Sequence, residues 1–417
     1  MSVLRGCSIP LLLITSIAVP VYWAFPYDLP ALRGAGIVLG WAGYGLLLGC
    51  LLLMLRETAL ARALGGLERM YLWHHRAGTL AYVLLLAHPL VLAAAAWSEA
   101  PHLAWQTLSP LAEGIPERLG WLSLLLLMLG LAATFWSTLA YPRWRWLHLA
   151  LAAGVLAGLA HLWQLGIDEP LSPILGITAL ILAWRFVRDD SGLSARPYVV
   201  ESTSQVAKDM VEITLKPLAR PIVASAGQFI LAAFFSGPNF RGCGEPHPFT
   251  ISAIGANGEI RIAVKALGDC TRHLQGIEPG VAARIEGGFG TVFAERPATA
   301  QLWLAGGVGI TPFLGLLRAG TVTQPTTLVY LYRHESDAAF LPELQALANA
   351  NPNLCLRTLA SGDDAVDLDS LLTESGAIPA RECYLCGPPG MVAAARKHLR
   401  RRGVSAHRIH FEHFGFR

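Results

Sequence analysis

Long apolar runs fill the first half of the chain and are missing from the second half. A membrane-spanning helix needs about 20 mostly apolar residues. The run that follows Arg5 lacks a small-residue cleavage site, so we interpret it as a first span and not as a removed signal peptide. The pattern therefore predicts six spans, at residues 7–25, 34–55, 72–97, 119–141, 146–166 and 171–187.

The second half alternates apolar and polar residues over short stretches that are separated by Gly, Pro and polar turns. Such a pattern is typical of a small antiparallel barrel, here with strands at 198–203, 210–217, 228–233, 249–253, 259–264 and 282–286. After residue 298 the order becomes strand (301–304), helix (311–319), strand (327–332), which indicates an α/β nucleotide-binding domain. We predict a multidomain membrane protein with an all-α six-helix bundle (1–188), an antiparallel β-barrel (192–296) and an α/β domain (297–417).

Composition supports this division. Charged residues make up only 15% of the 417 residues, against roughly 25% in soluble domains, and this argues against both a soluble enzyme and a disordered protein. A formal charge of +3 gives no reason to expect nucleic acid as a partner. Seven scattered Cys residues form no disulfide framework.

The arginines of the first half indicate its orientation. They gather between spans two and three, between four and five, and after six, whereas the opposite loops are acidic and poor in Arg. The positive-inside rule then predicts that both termini and the second half are cytoplasmic. The Pro-rich loop 98–118 is expected to cap the outer face.

Two of the predicted spans carry histidines, which are costly at membrane depth and usually functional. His74 and His88 are 14 residues apart, and this spacing returns them to within about 40° of one helix face. His148 and His161 are 13 apart, so their span needs a local bend or unwinding. The two spans run in the same direction, which allows His74 to face His148 and His88 to face His161. Two such pairs of neutral imidazoles are what two b haems require as axial ligands.

His75 competes with His74 as the inner ligand, because its distance to His88 is also 13 residues. Helix phase favours His74.

Three segments of the second half have residues suited to cofactors. The first runs from His247-Pro248-Phe249-Thr250-Ile251-Ser252 to a turn between Lys265 and Thr271 that contains Gly268. An aromatic ring beside hydroxyls suits a flat cofactor ring, and a Gly-x-x-Thr turn exposes amides to a pyrophosphate. The second is the glycine-rich turn between a strand and a helix, with Gly306, Gly307, Gly309 and Thr311. The third is Cys386-Gly387-Pro388-Pro389-Gly390, which ends a strand at 382–385.

Arg333 follows the second strand of the α/β domain, where a ribose 2′-phosphate would be read. Its guanidinium can hold a phosphate with two parallel hydrogen bonds, which favours a nucleotide that carries the 2′-phosphate. Glu335 nearby favours the unphosphorylated ribose, so the expected preference is incomplete.

The three segments in this order resemble the ferredoxin–NADP reductase family. Together with six spans and paired histidines, the whole chain resembles the NADPH oxidase/ferric reductase superfamily in a compact bacterial form. The resemblance implies FAD on the barrel, NADPH on the α/β domain, two b haems in the bilayer and a bacterial inner-membrane location. It also favours His74, since the family places Gly (here Gly78) four residues after the ligand.

The resemblance also implies roles for single residues. Thr250 stands where the family places a hydroxyl near flavin N5, His247 matches the membrane oxidases, and Cys386 lies beside the nicotinamide. Glu412-His413-Phe414 is similar to the family's C-terminal Glu-x-aromatic ending, in which the aromatic covers the flavin. Because the chain continues to Phe416, either Phe414 or Phe416 is the expected shield.

The expected activity is electron transfer from cytoplasmic NADPH through FAD and the two haems to an outer acceptor. The favoured acceptor is O2, which gives superoxide, and a ferric chelate is the alternative. A haem-binding subunit that relays electrons to a partner or quinone is the alternative of another class. No obligate protein partner is evident from the sequence.

Overall fold

The computed structural model describes the chain except residues 1, 112–113, 137–138, 140, 168, 170, 294–298, 363–379 and 413–417; for 2–6, 141–142, 145 and 190 it describes the backbone alone. The chain forms two compact units. The first consists of residues up to Ser191 apart from Glu57–Arg62, and the second begins at Gly192 and includes that short segment.

Every regular element described in the first half is a helix, as the apolar runs predict. The helices are α1 (Ser2–Trp23), α2 (Ala31–Leu53), α3 (Thr58–Leu64), α4 (Leu67–Trp97), α5 (Pro101–Leu108), α6 (Ile115–Phe135), α7 (Tyr141–Gln164) and α8 (Leu171–Arg185), followed by a π-helical turn, Phe186–Asp190. The short helices α3 and α5 lie in segments that the hydropathy pattern left as loops.

Among the described residues, five helices are long and apolar enough to cross a membrane, namely α2, α4, α6, the 146–164 part of α7, and α8 with its π-helical turn. The predicted first span corresponds to α1. Its apolar part, Cys7–Trp23, is shorter than these five. The sixth crossing therefore stays a prediction.

Glycines allow the helices of the first unit to pack in close pairs. A Cβ at Gly36 or Gly43 of α2 would lie under 3 Å from Leu92 or Leu85 of α4. The space that a Cβ would take at Gly130 of α6 is likewise occupied by the Leu151 side chain of α7. Small residues give this close approach in apolar surroundings, where packing drives helix association. The result is two tight pairs, α2 with α4 and α6 with α7.

The second unit begins with a closed barrel, as predicted. Its strands are β1 (Arg196–Ala207), β2 (Met210–Pro217), β3 (Phe229–Phe234), β4 (His247–Ile254), β5 (Ile260–Lys265) and β6 (Ala282–Phe289), in the order β1-β2-β5-β4-β3-β6. All neighbouring strands are antiparallel. Inward-facing apolar residues of the six strands form one core. A short helix, α9 (Asp269–His273), follows β5.

A parallel five-stranded sheet follows the barrel. Its order is β11-β10-β7-β8-β9, with β7 (Gln301–Gly306), β8 (Thr326–Tyr332), β9 (Leu354–Ala360), β10 (Glu382–Cys386) and β11 (Ile409–Phe411). The described helices are α10 (Thr311–Arg318), α11 (Leu341–Ala350) and α12 (Pro389–Arg401). The carboxyl ends of β7, β8 and β10 meet at one edge, where ligands bind in open α/β sheets.

A buried ion network joins three elements of the second unit. The Arg318 guanidinium of α10 lies 2.5 Å from Glu212 of β2 and 2.7 Å from Glu343 of α11. Ser252 of β4 donates its hydroxyl to the same Glu212 carboxylate at 2.7 Å and is fully buried. This corrects the prediction that Ser252 contacts a cofactor, because its hydroxyl is already used inside the protein.

Candidate cofactor-binding sites

His88 of α4 and His161 of α7 line one cavity of about 600 Å³ within the first unit. Its volume lies in the usual range for small-molecule and cofactor pockets. The cavity also reaches Glu99, Thr107 and Glu117, so the loop predicted to cap this end contributes to its wall.

Both histidines are held through the same ring atom. His88 donates from Nδ1 to the Gly36 carbonyl of α2, and His161 donates from Nδ1 to the Pro116 carbonyl of α6, each at 2.7 Å. A carbonyl only accepts, so each ring carries its proton on Nδ1 and keeps the Nε2 lone pair for another partner. A backbone carbonyl that fixes the tautomer in this way is usual behind a metal-bound histidine.

A second pair lies elsewhere on the same two helices. His74 of α4 donates from Nδ1 to the Cys50 carbonyl of α2 at 3.2 Å. His148 of α7 has its Nδ1 3.3 Å from the Thr134 hydroxyl of α6. The centres of the two imidazole rings are 6.4 Å apart. Across the described residues, α7 stays α-helical between His148 and His161, so the unwinding expected from their 13-residue spacing is not seen.

The four histidines therefore share one arrangement, in which an atom of a neighbouring helix (α2 for the α4 histidines, α6 for the α7 histidines) engages Nδ1 and leaves Nε2 available. This donor set fits a haem with two axial imidazoles at each pair. His75 has its ring centre 5.9 Å from that of His74. Within the described contacts, no Nδ1 bond of this kind is seen for His75. Which residues bind haem remains a prediction.

The flavin motif of the second unit lies on β4. Phe249 is buried in the barrel core, where its ring meets Phe234 edge-on at 6.2 Å. The expectation that this aromatic stacks on a flat cofactor is therefore wrong, because strand alternation points it inward. Pro248 and Thr250 take the opposite face of the strand, and Thr250 pairs with Phe229 of β3.

The turn after β5 is closed by its own threonine. The Thr271 hydroxyl accepts from the amides of Leu267 and Gly268 at 2.9 and 2.8 Å. The Thr271 hydroxyl therefore shapes the turn. The Leu267 and Gly268 amides are used in it, so an anion would meet the backbone amides that follow Gly268. The Lys265 ammonium, just before this turn, lies 3.8 Å from the Cβ position of Gly307, so the flavin and nucleotide motifs meet here.

The two glycine-rich turns of the α/β domain pack on each other. A Cβ at Gly309 would overlap the Cys386 carbonyl, and one at Gly306 would clash with Met391. Gly307 has a φ of +54°, which glycine adopts without strain. Thr311 is the first residue of α10, and its hydroxyl donates to the Val308 carbonyl at 2.9 Å. Only glycine fits where these two turns pass each other. Their close packing holds the backbone amides of both turns at the edge of the sheet.

Cys386 ends β10 beside Glu412. The register pairs Leu385 with Phe411, so Glu412 follows at the level of Cys386. Burial raises the pKa of the Cys386 thiol, and the Glu412 carboxylate adds to this effect. The thiol is thus neutral at physiological pH. The Glu412 carboxylate is buried and lies 2.9 Å from the Cβ position of Gly290, next to the Phe229 ring.

Arg333 is exposed directly after β8, at the same edge as the Gly306 turn and the Gly387 turn. Phe414 and Phe416, the two candidate flavin shields, lie outside the described residues.

Sequence reasoning missed one cluster on the barrel. The possible ligand atoms of Cys243, His247 and Cys270 all lie within 4.8 Å of one another. Burial alone would raise the pKa of the Cys243 thiol, but hydrogen bonds with His247 and Cys270 hold it below its usual value. Burial and the neighbouring Cys243 raise the pKa of Cys270 to about 12. The only sequence signal was the Cys-x-x-x-His spacing.

Comparisons with known proteins match three consecutive segments of the chain. Residues 39–159 match the family "Ferric reductase like transmembrane component". Residues 198–286 match a FAD-binding domain, and residues 303–397 match an oxidoreductase NAD-binding domain. The described barrel and α/β domain contain the latter two segments.

The chain is also similar to individual proteins. A ferredoxin–NAD(P)+ reductase component of naphthalene 1,2-dioxygenase/salicylate 5-hydroxylase systems from Ralstonia sp is 25% identical over 52% of this chain and 67% of its own length. The ferric/cupric reductase transmembrane component 2 of Saccharomyces cerevisiae is 28% identical over 41% of this chain and 26% of its own. The chain thus spans about two thirds or less of these relatives.

Among solved structures, a flavohemoglobin from Malassezia yamatoensis aligns with 99% of this chain and 98% of its own, with a TM-score of 0.50 and 18% identity. That likeness concerns the fold alone. The three family matches in this order, a ferric-reductase-like transmembrane component followed by FAD-binding and NAD-binding domains, match the architecture of the NADPH oxidase/ferric reductase superfamily and are consistent with a NAD(P)H-dependent transmembrane oxidoreductase.

Proposed function

We propose that the protein is a transmembrane flavohaem oxidoreductase that moves electrons from cytoplasmic NADPH to an acceptor on the outer membrane face. One observation carries the proposal: α4 and α7 hold two pairs of histidines whose Nδ1 atoms are engaged by the neighbouring helices α2 and α6. The same chain carries FAD-binding and NAD-binding domains. When bound, FAD would turn a hydride into single electrons, and two b haems would carry them across the bilayer.

The residues of the first unit would bind and orient. His74 with His148, and His88 with His161, would each present two Nε2 atoms to one iron. With two histidines committed to each haem, the acceptor would take its electron without binding the iron. The carbonyls of Gly36 and Pro116 would hold the imidazoles in one tautomer.

The residues of the second unit would position the donor. His247 and the amides that follow Gly268 in the turn would hold the FAD pyrophosphate, and Thr250 would place its hydroxyl near flavin N5. The amides of Gly306, Gly307 and Gly309 would hold the nucleotide phosphates. Neutral Cys386, with Glu412 beside it, would form the wall for the nicotinamide, and Phe414 or Phe416 would cover the flavin.

The favoured acceptor is O2, of which two molecules would take the two electrons of each hydride and become superoxide. A ferric chelate is the second candidate, which the match to a ferric-reductase-like family and the similarity to a yeast ferric/cupric reductase support. The proposed setting is a bacterial inner membrane, with both termini cytoplasmic by the distribution of arginines.

The test is NADPH-driven dye reduction by the purified full-length protein. Superoxide formation predicts reduction that superoxide dismutase suppresses, without any added protein. Reduction of a ferric chelate that is insensitive to dismutase would favour the second candidate. No turnover with either acceptor, restored by a quinone or a partner protein, would contradict both and support a relay subunit.

Coenzyme choice gives a separate prediction. Arg333→Ala is expected to raise the KM for NADPH by about 10- to 100-fold and to leave NADH nearly unchanged, because a charged hydrogen bond is worth about 1.5–3 kcal/mol. Steady-state kinetics with both coenzymes measures this. Arg400→Ala, an exposed arginine near the end of α12, is the matched control and should change neither KM. An equal effect of Arg333→Ala on both coenzymes would mean that Arg333 supports the fold and does not read the phosphate.

A further inference from the structure

His148 is held differently from the other three paired histidines of the first unit. The Nδ1 atom of each of the others faces a backbone carbonyl, which can only accept a hydrogen bond and so fixes the proton on Nδ1. The Nδ1 atom of His148 instead lies 3.3 Å from the Thr134 hydroxyl of α6. A hydroxyl can donate as well as accept, so this contact taken alone allows either tautomer of His148.

A second hydrogen bond decides which tautomer is favoured. The Thr134 hydroxyl donates to the Gly130 carbonyl, four residues earlier in α6, at 3.1 Å. Because a hydroxyl has one proton and a carbonyl has none to give, the lone pairs of the Thr134 oxygen are left for His148. His148 therefore donates from Nδ1 to Thr134 and keeps its lone pair on Nε2, as an axial ligand requires.

The bond from Thr134 to its own helix is common in this protein. Thr15, Thr79 and Thr107 also donate to the carbonyl four residues earlier in their helices. Among the described contacts, Thr134 is the only one of these four threonines whose hydroxyl also meets an imidazole. This second contact points to a role beyond the packing of α6.

The plane of the His148 ring is held from another side. The indole of Trp144, one turn earlier in α7, stacks on the imidazole, with the ring centres 4.7 Å apart and the planes 23° apart. With Trp144 against its face and Thr134 at Nδ1, the imidazole is fixed in both orientation and protonation site. The Nδ1 bond is the part of this support that depends on a single hydroxyl.

We propose that Thr134 is a positioning residue that holds His148 in its ligating tautomer and sets how strongly the imidazole donates to the iron. The inference rests on the proposed function, because it requires a haem between His74 and His148. A hydrogen bond accepted from Nδ1 raises the basicity of a ligating imidazole. Losing this bond would weaken donation to the oxidised iron and would raise the midpoint potential of that haem. Among the four Nδ1 partners, the Thr134 hydroxyl is the one that a side-chain substitution removes.

The test is a spectroscopic redox titration of the purified full-length protein, which measures the midpoint potential of each haem. Thr134→Val keeps the branched side chain but removes the hydroxyl, and it should raise one of the two potentials. Thr134→Ser keeps the hydroxyl and should retain the wild-type values. Thr15→Val is the matched control, because it removes a hydroxyl with the same helical bond and no described imidazole partner. It should change neither potential.

Single-haem variants assign the shift to one site. In His88→Ala, which is expected to keep the haem at His74 and His148, adding Thr134→Val should raise the remaining potential. In His74→Ala, which is expected to keep the other haem, adding Thr134→Val should leave the remaining potential unchanged. A shift in the His74→Ala background would contradict the inference, since it would show that Thr134 does not act through His148.

Other results would also overturn the inference. Two haems with wild-type potentials in Thr134→Val would do so and would leave the proposed function intact. Equal shifts in Thr134→Val and Thr134→Ser would mean that packing matters and the hydroxyl does not. If Thr134→Val loses a haem, Thr134→Ser must keep it, and loss in both would contradict the role of the hydroxyl. Wild-type protein without haem would contradict the proposed function and this inference together.

Discussion

His88→Ala and His161→Ala should each reduce the haem content from two to one per chain and abolish electron export, while NADPH still reduces the flavin. Each substitution removes one imidazole nitrogen from a cavity whose other described lining residues include no histidine, cysteine or methionine. The pyridine haemochrome assay gives haem per chain, and anaerobic NADPH titration gives flavin reduction. Loss of the last transfer step, with the first step intact, would locate these residues on the acceptor side.

Matched variants sharpen this result. His102→Ala, at an exposed histidine of α5, should keep both haems. His74→Ala should lose one haem and His75→Ala should lose none, because His74 alone of the two has the described Nδ1 bond to α2. Two haems per chain in both His88→Ala and His161→Ala would show that the ligands are assigned wrongly.

Arg318→Ala is expected to destabilise the second unit by about 3–5 kcal/mol. Removing one partner of a buried ion network leaves the others as uncompensated buried charges. Here the buried charge is the Glu212 carboxylate, which has only 9% of its side chain exposed, whereas Glu343 is 39% exposed and water can solvate its carboxylate once the guanidinium is gone. The midpoint of thermal FAD release from the full-length protein reports the loss.

Lys216→Ala is the matched control for this variant. It breaks an ion pair with Glu201 at 3.4 Å in which 62% and 41% of the two side chains are exposed. Exposed pairs contribute about 0–1 kcal/mol, so its FAD-release midpoint should hardly move. Equal shifts for Arg318→Ala and Lys216→Ala would contradict a stabilising role for the buried network.

Local patterns predicted the elements well. Hydropathy located the ends of the long helices to within six residues because a spanning helix needs a continuous apolar run. Alternation and turn residues placed the barrel strands, and β2 was placed at its observed limits, residues 210–217. The glycine turns were recognisable because strand, turn and helix are consecutive in the chain.

What the sequence left unpredicted depends on contacts between distant segments. The direction in which Phe249 points follows from barrel register, and the partners of Ser252 lie 40 and 66 residues away. Cys243 and Cys270 meet only because β4 and β5 are neighbours. The segments α3 and α5 are too short for hydropathy to distinguish them from loops, and β9 and β11 were not recognised before the structure placed them at the sheet edges.

The most direct test of the central claim is an anaerobic redox difference spectrum of the purified full-length protein, with FAD and haem counted per chain. The account predicts two b-type haems and one FAD, with NADPH alone reducing the flavin and then the haems. Absence of haem, or haem that dithionite reduces but NADPH does not, would contradict an electron path through this single chain.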